Sequence, residues 1–174
     1  ALDLRNLSRE YYDLVDNRSA YINKLQGELR MVFPQYLNIF SKITVNTSLT
    51  LLVKFICPDG FLKASKNDII TTIRSTARFG ISYAEKKYNA IIKAANEAKT
   101  FGYSVNSNFK RILLYIRFIR QYNEEIEAIL TDMNDIVESN EDTAFVKQIR
   151  LIESFKGAGF LSAVSLMCEI GDFS

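Results

Sequence analysis

Lys156-Gly157-Ala158-Gly159 stands between two stretches of helical periodicity, with Ala163 four positions after the second glycine. Two glycines around one small residue allow a tight turn between helices. The N–H groups freed by the turn, and the N-terminus of the next helix, can then face a phosphate. Lys156, Gly157, Ala158, Gly159, Phe160 and Ser162 are therefore a candidate DNA-binding hairpin, with Lys147 and Arg150 adding positive charge nearby. The same residues would equally serve as a packing turn. A second candidate is the basic stretch Arg74, Arg78, Lys86, Lys87 and Lys93, interleaved with Phe79, Tyr83 and Tyr88. Cations that neutralise phosphates, beside aromatic rings on which bases can stack, suit single-stranded or folded RNA. A solvated helix face would look the same.

Other chemistry has little to work with. The chain has no histidine, which removes the commonest general base and the commonest transition-metal ligand. Cys57 and Cys168 lie far apart with no CxxC partner, and read as ordinary buried thiols in a reducing compartment. The carboxylates show no spacing that suggests a metal pair. No catalytic residue, metal ligand or cofactor site is expected within these 174 residues. No apolar run is long enough to span a bilayer, and Leu49–Cys57, the longest, is broken by Thr50 and Lys54. No membrane partner is expected.

The elements that would position these residues are all helical. Gly and Pro number 7 and 2, and no segment alternates with period two. The expected fold is all-α: long coiled-coil helices flanking a knob of short helices, ending in a helix-hairpin-helix-like turn. Residues 1–33 form a first long helix with Leu4, Leu7, Tyr11, Leu14, Tyr21, Leu25 and Val32 on one row, broken by Arg18. Residues 34–81 form the knob: Pro34 opens a helix carrying Leu37, Phe40 and Ile43, Asn46 or Thr47 caps the next, Asp59 starts another, and Asn67 caps a third. Residues 82–140 begin with the capping box Ser82-Tyr83-Ala84-Glu85, reach a stop at Gly102, and continue as a second long helix over about 107–139. Residues 141–174 hold a helix to about Phe155, the Gly-Ala-Gly turn, and a last helix from Phe160 to Glu169.

The second long helix carries the cleaner heptad: Phe109, Ile112, Ile116, Ile119, Asn123, Ile126, Leu130, Met133 and Val137. A lone polar residue inside such a seam commonly sets register and partner number. Charge is also segregated. Residues 61–120 carry about nine excess positive charges, whereas 121–145 hold eight carboxylates and no Lys or Arg. Two copies lying antiparallel would set basic half against acidic half around Asn123. These residues are thus expected to be an oligomer seam, in preference to a hairpin within one chain.

The string Ile152-Glu153-Ser154-Phe155-Lys156-Gly157-Ala158-Gly159-Phe160-Leu161-Ser162-Ala163, continued by Cys168-Glu169-Ile170-Gly171-Asp172-Phe173, resembles the opening of a known domain. It is the C-terminal domain of the DEDD transposases of the insertion-sequence one-hundred-and-ten family, which include the pilin-gene invertases. Leu4-Arg5-Asn6-Leu7 is similar to that family's exit from its RuvC-like nuclease domain, and the Phe33-Pro34 to Pro58 region to its coiled-coil insert. Phe55-Ile56 stands where the family often has tyrosine–proline. The resemblance spans the chain, with its specific motif in the last fifth.

The resemblance implies an oligomerisation and nucleic-acid-binding fragment of a cytoplasmic, bacterial DNA transposase or recombinase that inserts or inverts a mobile element. The resemblance implies that the parent's four metal-binding carboxylates, which would hold a divalent metal such as magnesium, precede Ala1, and that its serine nucleophile follows Ser174. Ser162 and Ser165 are not that serine. The implied partners are DNA, a guide RNA and further copies of the same chain. The chain, starting at Ala1, would be a piece of a longer protein. An apolar face of Leu161, Val164 and Met167 would then be left open. The alternative from a different class is a non-enzymatic coiled-coil scaffold that binds another protein.

Overall fold

In a computed structural model, which describes residues 2–101 and 106–170, the chain is all-α. It forms eight α-helices and one short 3-10 turn, with no strand among the described residues. In order these are α1 (Leu2–Val32), the turn η1 (Pro34–Asn38), α2 (Asn46–Phe55), α3 (Pro58–Lys63), α4 (Lys66–Thr76), α5 (Ile81–Phe101), α6 (Asn106–Glu138), α7 (Ala144–Glu153) and α8 (Phe160–Ile170). The chain divides into two compact units, residues 19–120 and residues 1–18 with 121–174. The long helices α1 and α6 each contribute to both.

The unit of residues 19–120 is built around one apolar cluster. Leu25, Leu29, Val32 and Phe33 meet Ile112, Ile116 and Ile119, together with Leu49, Leu52, Phe61, Ile69, Ile73, Ile91 and Ala95. A fully buried Leu such as Leu25 or Leu29 contributes roughly 1.5–3 kcal/mol. Here α1 and α6 lie antiparallel: Glu28 accepts from Asn108 Nδ2 at 2.7 Å and pairs with Arg111 at 2.7 Å, while Tyr21 packs on Tyr115 and Phe118. Tyr36 is wholly buried at the centre, ringed by Phe33, Phe40 and Phe61, and its hydroxyl donates to the Ser48 carbonyl at 2.9 Å. Burial holds that phenol well above the usual tyrosine range.

The short helices depart from expectation at their ends, each for a local reason. Pro34 does sit in a first turn, but of a five-residue 3-10 turn, and Phe40 and Ile43 are buried from irregular chain instead of from a helix. Neither Asn46 nor Thr47 caps α2: Val45 holds the extended cap position and Thr47 is buried against Thr76. Helix α3 starts at Pro58 with the Cys57 thiol accepting from Gly60 N–H. Ser65, not Asn67, caps α4, with its hydroxyl accepting from Asp68 N–H and donating to the Asp68 carboxylate. Ser82 is already inside α5, because Gly80 precedes the helix and Glu85 turns to Lys66. Gly102 lies outside the described residues.

Between α2 and α3 the backbone is strained. Ile56 adopts φ 64° and ψ −54°, closed by Cys57 N–H donating to the Phe55 carbonyl at 2.7 Å. A β-branched residue in this three-residue turn is costly. Gly60 packs so tightly beneath that a Cβ there would stand 1.9 Å from the Phe55 carbonyl oxygen.

The other unit has its own core: Leu4 with Met133 and Val137, and Val146 and Ile149 of α7 with Ala163, Val164, Met167 and Cys168 of α8. Thr143 caps α7 by accepting from Val146 N–H. On α1, Ser8 shares a hydrogen bond with Ser165 at 2.9 Å, and Arg5 and Arg9 reach Glu169. Arg18 donates to the Asn123 side-chain oxygen at 2.9 Å. Val164 and Met167, expected on an open apolar face, are buried because α8 turns that face onto α7, and Leu161 is partly buried. Along residues 144–170 the exposed large apolar residues are instead Leu151, Phe155, Leu166 and Ile170.

Candidate nucleic-acid interface

The charge segregation seen along the chain becomes a segregation between folded units. Residues 19–120 hold sixteen Lys and Arg against five Asp and Glu, a formal +11. The remaining residues hold six against fifteen, a formal −9. In the basic unit four of the five carboxylates are occupied: Glu28 by Arg111, Asp59 by Lys99, Asp68 by Ser65 and Glu85 by Lys66. Most of the positive field is therefore left without internal compensation, and such a field attracts polyanions.

Of the basic residues singled out from sequence, Arg74, Arg78, Lys86 and Lys93 are exposed and Lys87 is partly buried. Helix α5 brings Lys86, Lys87 and Lys93 to one groove of about 430 Å³, completed by Gln35, Asn38, Ile39, Ala90, Ala94 and Glu97. Arg74, at the end of α4, and Arg78, just before α5, do not line it. Lys87 is fixed in place: its ammonium donates to the Ile39 carbonyl and lies over the Phe40 and Tyr83 rings. Burial, then the neighbouring Lys86 charge, holds its pKa below the usual lysine range.

The aromatics expected to stack on bases are largely engaged already. Phe79 and Tyr83 stack on each other at 4.2 Å, and Lys66 lies over Tyr88. The phosphate-contact part of the expectation thus has open side chains, whereas the base-stacking part does not.

A second groove, of about 630 Å³, opens on the α1 side of η1 and was not anticipated. It is lined by Ile22, Gln26 and Arg30 of α1, by Leu37 and Asn38, and by Ser41, Lys42, Ile43 and Thr44. Asn38 lines both grooves. The signal for it was present in sequence: residues 29–58 contain Arg30, Lys42 and Lys54 with no acidic residue at all.

The hairpin lies in the acidic unit. Gly157 has φ +95°, which L side chains rarely adopt, so glycine is demanded there. Gly159 has no such requirement, and a Cβ on it would meet nothing within 4 Å. Ala158 N–H closes the turn on the Phe155 carbonyl at 3.0 Å, and Ala163 is buried where α8 meets α7. Lys156, Gly157, Gly159 and Ser162 are exposed, with Ala158 and Phe160 half-buried. Of the supporting cations, Arg150 is committed to Glu141 and Glu153, leaving Lys147 and Lys156. A phosphate approaching this turn meets two cations with no ion pair among the described residues, inside a unit of strongly negative charge.

The seam residues of α6 are packed within the chain. Ile112, Ile116, Ile119, Ile126, Met133 and Val137 are buried and Phe109, Asn123 and Leu130 half-buried, with Asn123 held by Arg18 of the same chain. Among the described residues no group of three or more His, Cys, Asp or Glu could hold a metal ion. Cys57 is half-buried and Cys168 buried, and burial pushes the Cys168 thiol up. No described helix is long and apolar enough to cross a membrane. Residues 171–174, the end of the transposase-like string, lie outside the described residues. Comparison of the chain with protein-family models, with curated proteins and with solved structures found no match.

Proposed function

We propose that this chain is a nucleic-acid-binding and assembly part of a DNA transposase or recombinase, with the chemistry carried by other parts of the parent protein. The observation that carries the nucleic-acid reading is the +11 charge gathered in one folded unit with most of its carboxylates already paired. The transposase assignment rests on the resemblance of residues 152–173, and the glycine-dependent turn at Gly157 supports it. Within this reading the basic unit supplies most of the affinity and the hairpin a weaker, local phosphate contact. Assembly through the α6 seam would require α1 to be displaced in favour of a partner copy, so the mass in solution bears directly on it.

The test is binding of labelled single-stranded RNA and duplex DNA by anisotropy between 50 and 200 mM salt. Phosphate neutralisation predicts affinity falling by about two orders of magnitude over that range for roughly five contacts on RNA. Salt-independent binding, or none, would contradict the reading. A protein scaffold is the second reading. It is favoured by Leu151 and Phe155, which are 61% and 63% exposed beside the hairpin. Absence of nucleic-acid binding would leave that reading standing.

A further inference from the structure

We infer that the two grooves meeting at Asn38 form one track for the backbone of single-stranded RNA, with Arg30, Lys42, Lys86, Lys87 and Lys93 as its phosphate contacts. This rests on the nucleic-acid reading above and gives it a place in the fold. Three features of the site argue for it.

The first is charge that nothing else uses. Arg30, Lys42, Lys86 and Lys93 are exposed, and none has an ion-pair partner among the described residues. Glu97 is the single carboxylate lining either groove. Elsewhere in this unit cations with a carboxylate in reach take it, as Lys66, Lys99 and Arg111 do. Arg30 and Lys42 share one groove and Lys86 and Lys93 the other, and a polyanion offsets the repulsion between cations gathered in this way.

The second is shape. Both recesses are lined in part by the five-residue turn η1, through Leu37 and Asn38 in one and Gln35 and Asn38 in the other, so that they share Asn38. A flexible single strand can follow a path that passes around Asn38 from one recess into the next. A duplex, stiff over about 150 base pairs, would touch only the rims.

The third is the polar lining. Gln26, Asn38, Ser41 and Thr44 line the α1-side groove, and Gln35 and Asn38 the α5-side groove. Amides and hydroxyls both donate and accept hydrogen bonds. Such groups bond the phosphates of either nucleic acid, and RNA alone adds a 2′-hydroxyl that can both donate to them and accept from them. Lys87, anchored by the Ile39 carbonyl, presents its charge from a fixed position on the track.

The experiment uses the full chain with a labelled twenty-nucleotide RNA of mixed sequence. One variant carries Arg30→Gln, Lys42→Gln, Lys86→Gln and Lys93→Gln. A control removes the same charge from exposed positions outside the grooves, with Lys24→Gln, Lys63→Gln, Lys110→Gln and Arg117→Gln. Circular dichroism and urea midpoints establish that both fold. The groove variant is expected to lose affinity on the order of 10²-fold at 0.1 M salt, and its log–log salt slope to shallow by about 2.8 for four lost contacts. The control is expected to lose far less. Equal losses in the two variants would overturn the track while leaving a diffuse nucleic-acid-binding surface intact. Equal affinity for the DNA strand of the same sequence would overturn the assignment to RNA. No binding by the unaltered chain would remove the underlying reading as well.

Discussion

Replacing Asn123 by Ala removes the one polar group in the α6 seam, and its effect follows from where that group is held. Its side-chain oxygen accepts from Arg18 Nη1 at 2.9 Å in a partly buried setting, and Arg18 Nε is shielded with no partner among the described residues. A hydrogen bond to a charged group contributes about 1.5–3 kcal/mol when well shielded. Both residues are only half-buried, so water recovers part of it, and a loss of about 1–2 kcal/mol is expected. Arg18→Ala should cost a similar amount. The double variant should cost less than the sum, with a coupling of about 1 kcal/mol. The assay is urea unfolding of the four proteins at two concentrations tenfold apart. A pair closed within one chain gives midpoints that do not move with concentration. Coupling near zero would refute the in-chain role of Asn123. Midpoints that rise with concentration would instead restore the pairing between copies that the heptad suggests.

Gly60→Ala sets a Cβ against the Phe55 carbonyl oxygen at 1.9 Å, and relief requires moving backbone. A loss of about 3 kcal/mol or more is expected by urea unfolding, and a loss under about 1 kcal/mol would show that the α2–α3 junction yields. Ile56→Gly should change stability by less than about 1 kcal/mol in the same assay, whereas a residue at ordinary φ would lose more. Relief of the φ 64° strain offsets the lost half-buried side chain and the added freedom of glycine in the unfolded chain. Tyr36 links stability to alkaline pH. Its folded pKa is raised above the unfolded value of about 10, so its contribution is complete below pH 10 and is lost as pH rises beyond that. Tyr36→Phe should cost about 1 kcal/mol at pH 7 and remove part of the alkaline loss seen in the unaltered chain.

Much of the fold was legible because helices announce themselves by period. The rows through Leu25 and Val32, and through Ile112 to Val137, are long enough that no local signal competes, and both long helices fall within two or three residues of expectation. The caps were not legible. Asn46, Thr47, Asn67 and Ser82 all have the right chemistry, but tertiary contacts decide which of several adjacent polar residues takes the extended cap position. Val45 caps α2 with no side-chain bond because Thr47 is required by Thr76. The seam could be read as a seam, yet a heptad does not say which helix fills it, and Arg18, noted only as a break in α1's row, is the partner of Asn123.

The candidate site was half legible. Lys86, Lys87 and Lys93 recur along one helix, so periodicity places them together. Arg30 and Lys42 join the neighbouring groove only because η1 folds between α1 and α5, which no local pattern reports. The glycine pattern drew attention to the hairpin. The charge of the unit containing it, which sums residues 1–18 with 121–174, becomes visible only once the fold brings those segments together.

The central claim is that nucleic acid is held by the basic unit, and photo-cross-linking tests it most directly. A 4-thiouridine-substituted RNA would be irradiated with the full chain and the cross-linked peptides mapped by mass spectrometry. Cross-links should fall within residues 19–120, concentrated in the peptides that carry Arg30 to Thr44 and Lys86 to Glu97. Cross-links concentrated at Lys156–Ser162 would contradict that claim and make the hairpin the principal contact.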